Sequence, residues 1–505
     1  MIRKLAYKIG RFILLMVLLL TLTACNLPVK VLWYTPKPTL DPAIFEQQHT
    51  PQFSQQTPEA PSVPTSQALF PYDPNVSVSY IAQSGDTLAV VAKHFGVSPD
   101  QISSPNNLPQ TGLLPPGQQL IIPRPQEAAP YVDILMPDSA VINSPCSSEF
   151  GTEAFITQSA GYLSRYTQTV DDRSLTGAQI VELVAENTSV NPMFLLAFIE
   201  FRSHWVTSTP AALDLVHPLA LNTPRYEGLY LELSLTAKLL NTGYYAWRQG
   251  QISELLFAGG GSVRIAPQVN AGTAGMEYLF SQLFSQETFD TALFGSQGFL
   301  AVYKNLFGDP FVCASKIEPL FASGVQAPIL ELPFAPGEPW ALTGGLHVDW
   351  NSGTPWGALD FAPITGEKPC VVSRAWVTAS AAGVVTRSEQ GVLQIALTDQ
   401  KQQFTGWKIL YMHVAAQDRA AEGTIVNTND RIGHPSCEGG AATGTHVHIA
   451  RMYKGEWIGA GDPFPFILSG WEALPGDVQY QSQLVKDGQV VTSRIDGMYT
   501  SQIVR

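Results

Sequence analysis

Gly444-Thr445-His446-Val447-His448-Ile449 is the stretch whose reading decides this chain. The β-branched residues around the pair favour a strand. Side chains alternate across a strand, so His446 and His448 share one face. Neutral imidazole is the commonest metal ligand in proteins and also a base near neutral pH, so such a pair is a candidate metal or proton-transfer site. Working outward, five of the nine histidines fall between residues 347 and 448: His347, His413, His434, His446 and His448. From about residue 338 short apolar runs alternate with glycine, at 381–386, 392–397, 407–412 and 445–452. That spacing predicts a compact antiparallel sheet. A catalytic zinc takes three protein ligands from His, Asp or Glu and keeps one position open.

Between residues 338 and 470 the set His347, Asp360, His413, His446 and His448 resembles the β-lytic and lysostaphin-type zinc endopeptidases, which cut the peptide cross-bridges of peptidoglycan. Most of that family carries His-x-x-x-Asp, whereas Trp356 stands four residues before Asp360 here. The β-lytic and staphylolysin branch instead places its histidine 13 residues before the aspartate, after a Gly-Gly turn. Gly344-Gly345-Leu346-His347 meets that spacing, since 360 − 347 = 13. The resemblance implies one zinc ion on His347, Asp360 and His448, with His413 and His446 as catalytic residues. His446 is expected as the base and His413 as the oxyanion partner. Asp349 is expected on a loop and His434 at a turn.

The amino-terminal end predicts export. Arg3, Lys4, Lys8 and Arg11 precede the apolar run 12–22, the shape of a secretory signal. Leu22-Thr23-Ala24-Cys25 resembles the lipobox of bacterial lipoproteins, which implies lipidation at Cys25 and a membrane partner through that lipid. The stretch 26–76 is rich in Pro, Gln, Thr and Ser and reads as a disordered tether. Four cysteines remain: Cys146, Cys313, Cys370 and Cys437. An even number in an exported chain is consistent with two disulfides. Cys146 and Cys313 bracket one region and Cys370 and Cys437 another, so pairing within each is expected. The formal net charge of −13 argues against nucleic acid as a partner.

Residues 77–125 read as strand, helix, short helix, strand. Gly85-Asp86-Thr87-Leu88, Phe95-Gly96-Val97, Asn106-Asn107-Leu108 and Pro116-Gly117-Gln118-Gln119-Leu120 resemble the LysM domain. The resemblance implies a βααβ fold that binds N-acetylglucosamine-containing glycan, with Gly85, Asp86, Thr87, Asn106 and Asn107 as its glycan-binding residues. Residues 131–330 read as helices: a capping box at Thr176–Gln179, a cap and first-turn proline at Asn191-Pro192, and a helix from Gly228 to Asn241 stopped by Gly243. The segment 190–199 is similar to the lysozyme-like lytic transglycosylase helix, yet Arg202 holds the position of the catalytic glutamate and Glu200 lies half a turn away. That implies a lysozyme-like domain without glycosidase activity.

The expected architecture is multidomain α+β: a βααβ LysM module, an α-helical lysozyme-like domain, a carboxy-terminal antiparallel β-rich metallopeptidase domain and a tail at 471–505. The expected function is a lipid-anchored, extracytoplasmic zinc endopeptidase acting on peptidoglycan. Two rivals stand beside it: a non-catalytic wall-binding scaffold or hydrolase activator, and a glycan-strand cleaving activity in the helical domain.

Overall fold

The computed structural model describes residues 77–123, 129–495 and 499–505. Cys25, the signal-like segment and the tether at 26–76 lie outside the described residues. Among the described residues no helix is long and apolar enough to cross a membrane.

Strands β1 (Ser77–Ile81) and β2 (Gln119–Pro123) pair antiparallel around the helix Leu88–Phe95 and a short 3-10 turn at Pro99–Gln101. Thr87 caps that helix, accepting the Val90 N–H at 3.3 Å. Leu88, Val91, Ala92 and Phe95 then fall on one face and are buried with Tyr80, Leu120 and Ile122. Each of the larger apolar side chains, Leu88, Val91, Phe95, Leu120 and Ile122, contributes roughly 1.5–3 kcal/mol of burial.

The next region is mainly helical. The capping box Thr176–Gln179 is present at the start of helix Gly177–Thr188, and Asn191 caps helix Pro192–Ser203 by accepting the Met193 N–H at 2.9 Å. Two small hairpins interrupt the helices: β3 (Thr167–Val170) with β4 (Arg173–Thr176), and β5 (Glu254–Leu256) with β6 (Ser262–Arg264). One expectation is corrected here. Gly243 does not stop its helix, which runs unbroken from Leu229 to Arg248. A Cβ at Gly243 would collide with the Tyr278 side chain, so the glycine serves the close packing of this helix on Ala271–Leu283. Helix-ending signals and close-packing sites both ask for glycine.

The carboxy-terminal part is built on a nine-stranded antiparallel sheet. Its strands are β7 (Pro339–Val348), β8 (Trp356–Pro363), β10 (Gly383–Glu389), β11 (Val392–Thr398), β12 (Phe404–Met412), β13 (Ile425–Val426), β15 (Val447–Tyr453), β16 (Glu456–Trp457) and β21 (Gln502–Val504). Their order is β13-β10-β11-β12-β15-β8-β7-β21, with β16 pairing β15. A small pair, β9 (Val377–Thr378) with β14 (Arg431–Gly433), lies beside it. The described residues of the segment read from the sequence as a tail, 471–495 and 499–505, are folded. Strands β17 (Ile467–Leu468), β18 (Trp471–Pro475), β19 (Ser482–Lys486) and β20 (Gln489–Thr492) make a four-stranded sheet, and β21 extends the main sheet beside β7.

Disulfides join Cys146 to Cys313 and Cys370 to Cys437. The first ties the two ends of the helical region. The second holds the loop before β15 to the loop after β8.

Candidate metal centre and cleft

Three neighbouring strands converge on one point. His448 on β15 faces Asp360 on β8, and Gly344 on β7 faces Asp360 from the other side. The chain can approach Asp360 there because Gly344 lacks a side chain: a Cβ would collide with the carboxylate. Irregular register after Gly344 then brings His347 round to the same place. Ligand atoms of His347, Asp360 and His448 all lie within 4.8 Å of one another, and all three residues are buried.

Hydrogen bonding selects the tautomers. His347 Nδ1 donates to Gly345 O at 2.8 Å and His448 Nε2 to Asp349 O at 2.9 Å. The other nitrogens, His347 Nε2 and His448 Nδ1, therefore present lone pairs, and they stand 3.0 Å apart. Asp360 Oδ1 is 3.4 Å from the first and 3.2 Å from the second, is buried, and has no hydrogen-bond partner. Three electron-pair donors at this range repel one another unless a cation lies among them. Two imidazoles and a carboxylate are also a donor set that suits zinc. Burial alone would raise the Asp360 pKa; positive charge on the surrounding imidazoles, His347 foremost, opposes that and holds it well below the usual carboxylate range, the part a bound cation would take over while the rings stay neutral. Burial lowers the pKa of His347 against the pull of Asp360, which keeps the ring neutral and free to coordinate.

His446 and His413 flank this trio. His446 Nδ1 donates to Gly444 O at 2.7 Å and His413 Nδ1 to Glu438 O at 3.0 Å, so each ring presents Nε2 as an acceptor. Their ring centroids are 4.4 Å apart, and His446 Nε2 is 3.9 Å from Asp360 Oδ1. His413 sits at φ 63°, a strained position for a residue with a side chain. Ser436 holds it there, donating to His413 O from its N–H at 2.7 Å and its hydroxyl at 2.9 Å. Burial, and then His446, push the His413 pKa down to about 4. All five residues line one open cleft of about 1470 Å³.

The other candidates fall elsewhere. Trp356 is partly exposed at the start of β8 and contributes nothing to the trio. Asp349 is fully buried; its carbonyl receives His448, while burial holds its carboxyl pKa well above the ordinary value. His434 Nδ1 donates to Ala375 O at 2.7 Å, and the ring packs on Trp376. Glu200 is buried, and its carboxylate accepts the N–H groups of Val206 and Thr207 and the Thr207 hydroxyl. It closes the end of its own helix. Arg202 binds the carbonyls of Leu219 and Ala220.

The predicted glycan-binding residues divide. Asp86 is buried, accepting the Tyr80 hydroxyl and the Gln83 N–H, and Thr87 is the helix cap. Gly85 lies under the Arg248 guanidinium, which donates to Ser84 O. This turn is thus a contact with the helical region, whereas Asn106 and Asn107 are exposed. Arg248 also pairs with Asp138 at 2.6 Å and Glu456 at 2.8 Å, and His94 stacks on Trp247 with centroids 3.6 Å apart.

Sequence reasoning missed two parts of the cleft. Tyr480 stacks on His347, centroids 4.3 Å apart. Asp171, Asn187 and Tyr230 of the helical region line the same cleft as the trio. Asp487-Gly488, a strong hairpin signal, could have flagged the fold around Tyr480. No local signal marks the helical wall.

Comparison with known proteins finds family matches for two segments. Residues 80–123 match the LysM domain and residues 134–319 the LasA N-terminal domain, so the segment read as lysozyme-like has its match there. Protease LasA of Pseudomonas aeruginosa is 27% identical over 174 residues, which is 31% of this chain and 38% of that protein. The alignment therefore spans well under two thirds of the relative. Among solved structures, the M23 metalloprotease pseudoalterin from the deep sea is 22% identical, covering 36% of this chain and all of that one, with a TM-score of 0.29. The catalytic domain of lysostaphin from Staphylococcus simulans is 18% identical, covering 25% and 86%, with a TM-score of 0.18. On sequence, the chain is similar to the LysM domain over residues 80–123, to the LasA N-terminal domain over residues 134–319, and over 174 residues to protease LasA.

Proposed function

We propose that this chain is an exported zinc endopeptidase that cleaves peptide cross-links of peptidoglycan, with the LysM module engaging glycan. One observation carries the reading: three mutually repelling, buried electron-pair donors, with two neutral imidazoles beside them, face a cleft wide enough for a peptide. His347, Asp360 and His448 would hold the ion. Zinc bound there would polarise a scissile carbonyl and make water a competent nucleophile near neutral pH.

The chain's own residues do the rest. His446 Nε2, near the Asp360 oxygen, takes the proton of the attacking water. His413 Nε2 is an acceptor while the ring is neutral, so it donates to an oxyanion or a leaving amine only after gaining a proton. The two rings are close enough to share that duty. Backbone carbonyls hold both rings in orientation throughout, which limits the reorganisation that the reaction requires. A lipid anchor at Cys25 would keep this activity at the outer face of the cell membrane.

The test is metal content of the purified chain, together with product analysis on isolated walls. New amino termini and about one zinc per chain are expected, with His347→Ala losing the metal. A folded chain that takes up no zinc, or products that carry new glycan ends instead of new amino termini, would overturn the reading.

A further inference from the structure

The cleft has walls from two parts of the chain. Hairpin β3–β4 of the helical region reaches the β10–β11 hairpin of the main sheet, where Arg173 Nη2 donates to Gln390 Oε1 at 2.6 Å. Arg387 of β10 reaches back, donating to Asn187 Oδ1 at 2.8 Å and lying 3.6 Å from Glu186. These bonds hold the helical wall beside the His and Asp cluster while the cleft stays open, with Asp171 and Tyr230 on that wall.

Charged side chains along the cleft are mostly committed. Arg387 is paired with Glu389 at 3.0 Å, Glu438 accepts the Ala416 N–H at 2.8 Å, and Glu367 accepts the Ser373 and Thr365 hydroxyls at 2.6 and 2.7 Å. Two are not. Asp171, exposed at the hairpin tip beside Tyr230, and Lys368, on the loop before Cys370, make no hydrogen bond or ion pair among the described residues. Opposite unpaired charges on separate walls of one cleft suit a ligand that is itself dipolar.

We propose that the cleft selects peptides carrying both a primary ammonium and a free carboxylate, with Asp171 reading the ammonium and Lys368 the carboxylate. The inference rests on the peptidase reading for its substrate class, and it makes the helical region a specificity element of the same site. Each contact is partly exposed, so each is worth about a fivefold preference that falls with salt.

Equilibrium binding to the full chain carrying His446→Ala tests it without turnover. The probes are an amino-terminally blocked Ala-Lys-Ala-Ala with free side-chain amine and carboxylate, its Nε-acetylated form and its carboxy-terminal amide. The parent peptide is expected to bind about fivefold tighter than either derivative. Asp171→Asn should abolish only the discrimination against acetylation, Lys368→Gln only that against amidation, and Asp171→Lys should reverse the first. Equal affinity for all three probes, or loss of both preferences in each single variant, overturns the proposal. Because binding is the readout, absence of zinc or hydrolysis would sink the peptidase reading separately.

Discussion

Replacing Arg248 by Met removes the charge that joins three parts of the chain while preserving most of the side-chain volume. The guanidinium is 12% exposed and its partners Asp138 and Glu456 only 5% each. Breaking a buried pair from one side costs about 3–5 kcal/mol, because the remaining charge is stranded. Asp138 keeps hydrogen bonds from Asn270 Nδ2 at 2.8 Å and the Gly272 N–H at 2.7 Å. Glu456 keeps only the Tyr244 hydroxyl at 3.0 Å. Burial already raises the Glu456 pKa and Arg248 opposes that rise, so the variant should carry Glu456 protonated at neutral pH. Protonating a glutamate of ordinary pKa at pH 7 costs about 3.7 kcal/mol, which caps this part of the loss. The sign follows from linkage. A carboxyl whose folded pKa lies above its unfolded value loses stability as pH rises through the unfolded pKa. The deficit of Arg248→Met should therefore be about 3–4 kcal/mol at pH 7.5 and shrink toward pH 4. Urea unfolding followed by tryptophan fluorescence, variant against parent at both pH values, measures it. A deficit below about 1 kcal/mol, or one that is flat with pH, would refute the reasoning.

Glu277 is fully buried, neither of its carboxylate oxygens has a partner, and burial raises its pKa to about 8. Glu277→Gln should therefore stabilise the chain by about 2–3 kcal/mol at pH 7, with the gain vanishing near pH 4.5, as read by the same unfolding experiment. Burial pushes the His94 pKa down to about 4, so folding stability should fall as pH drops from about 6.5 to 4, by at most about 3 kcal/mol. His94→Gln should flatten that part of the stability curve. His347→Ala and His413→Ala should separate binding from chemistry: metal analysis should find the ion lost in the first and kept in the second, with wall hydrolysis lost in both.

Much of the carboxy-terminal sheet was legible because β-branched runs between glycines are a local signal, and β11 and β12 lie where those runs are. The trio was legible only through spacing: His347 is 101 residues from His448, and nothing local says that β7 and β15 flank β8. Gly243 misled because one residue type answers two demands. The helical wall of the cleft was out of reach for another reason. Asp171 and Tyr230 are ordinary residues in ordinary elements, and they matter only through packing between regions distant in sequence. The turn at Gly85-Asp86-Thr87 shows the converse, since a motif that fits a ligand-binding pattern here contacts an arginine of the same chain.

That arginine fixes how residues 77–123 meet the rest of the chain. Gln83 donates to Gln268 O at 2.6 Å, Phe321 N–H to Ser84 Oγ at 2.9 Å and Gly112 N–H to the Asp462 carboxylate at 2.9 Å. A module fastened at so many points works as a caliper jaw rather than a hook on a line. Under the proposed function, any sugar strand it gripped would be presented at a set offset from His347, Asp360 and His448, so fragments too short to span that gap would gain nothing from the grip.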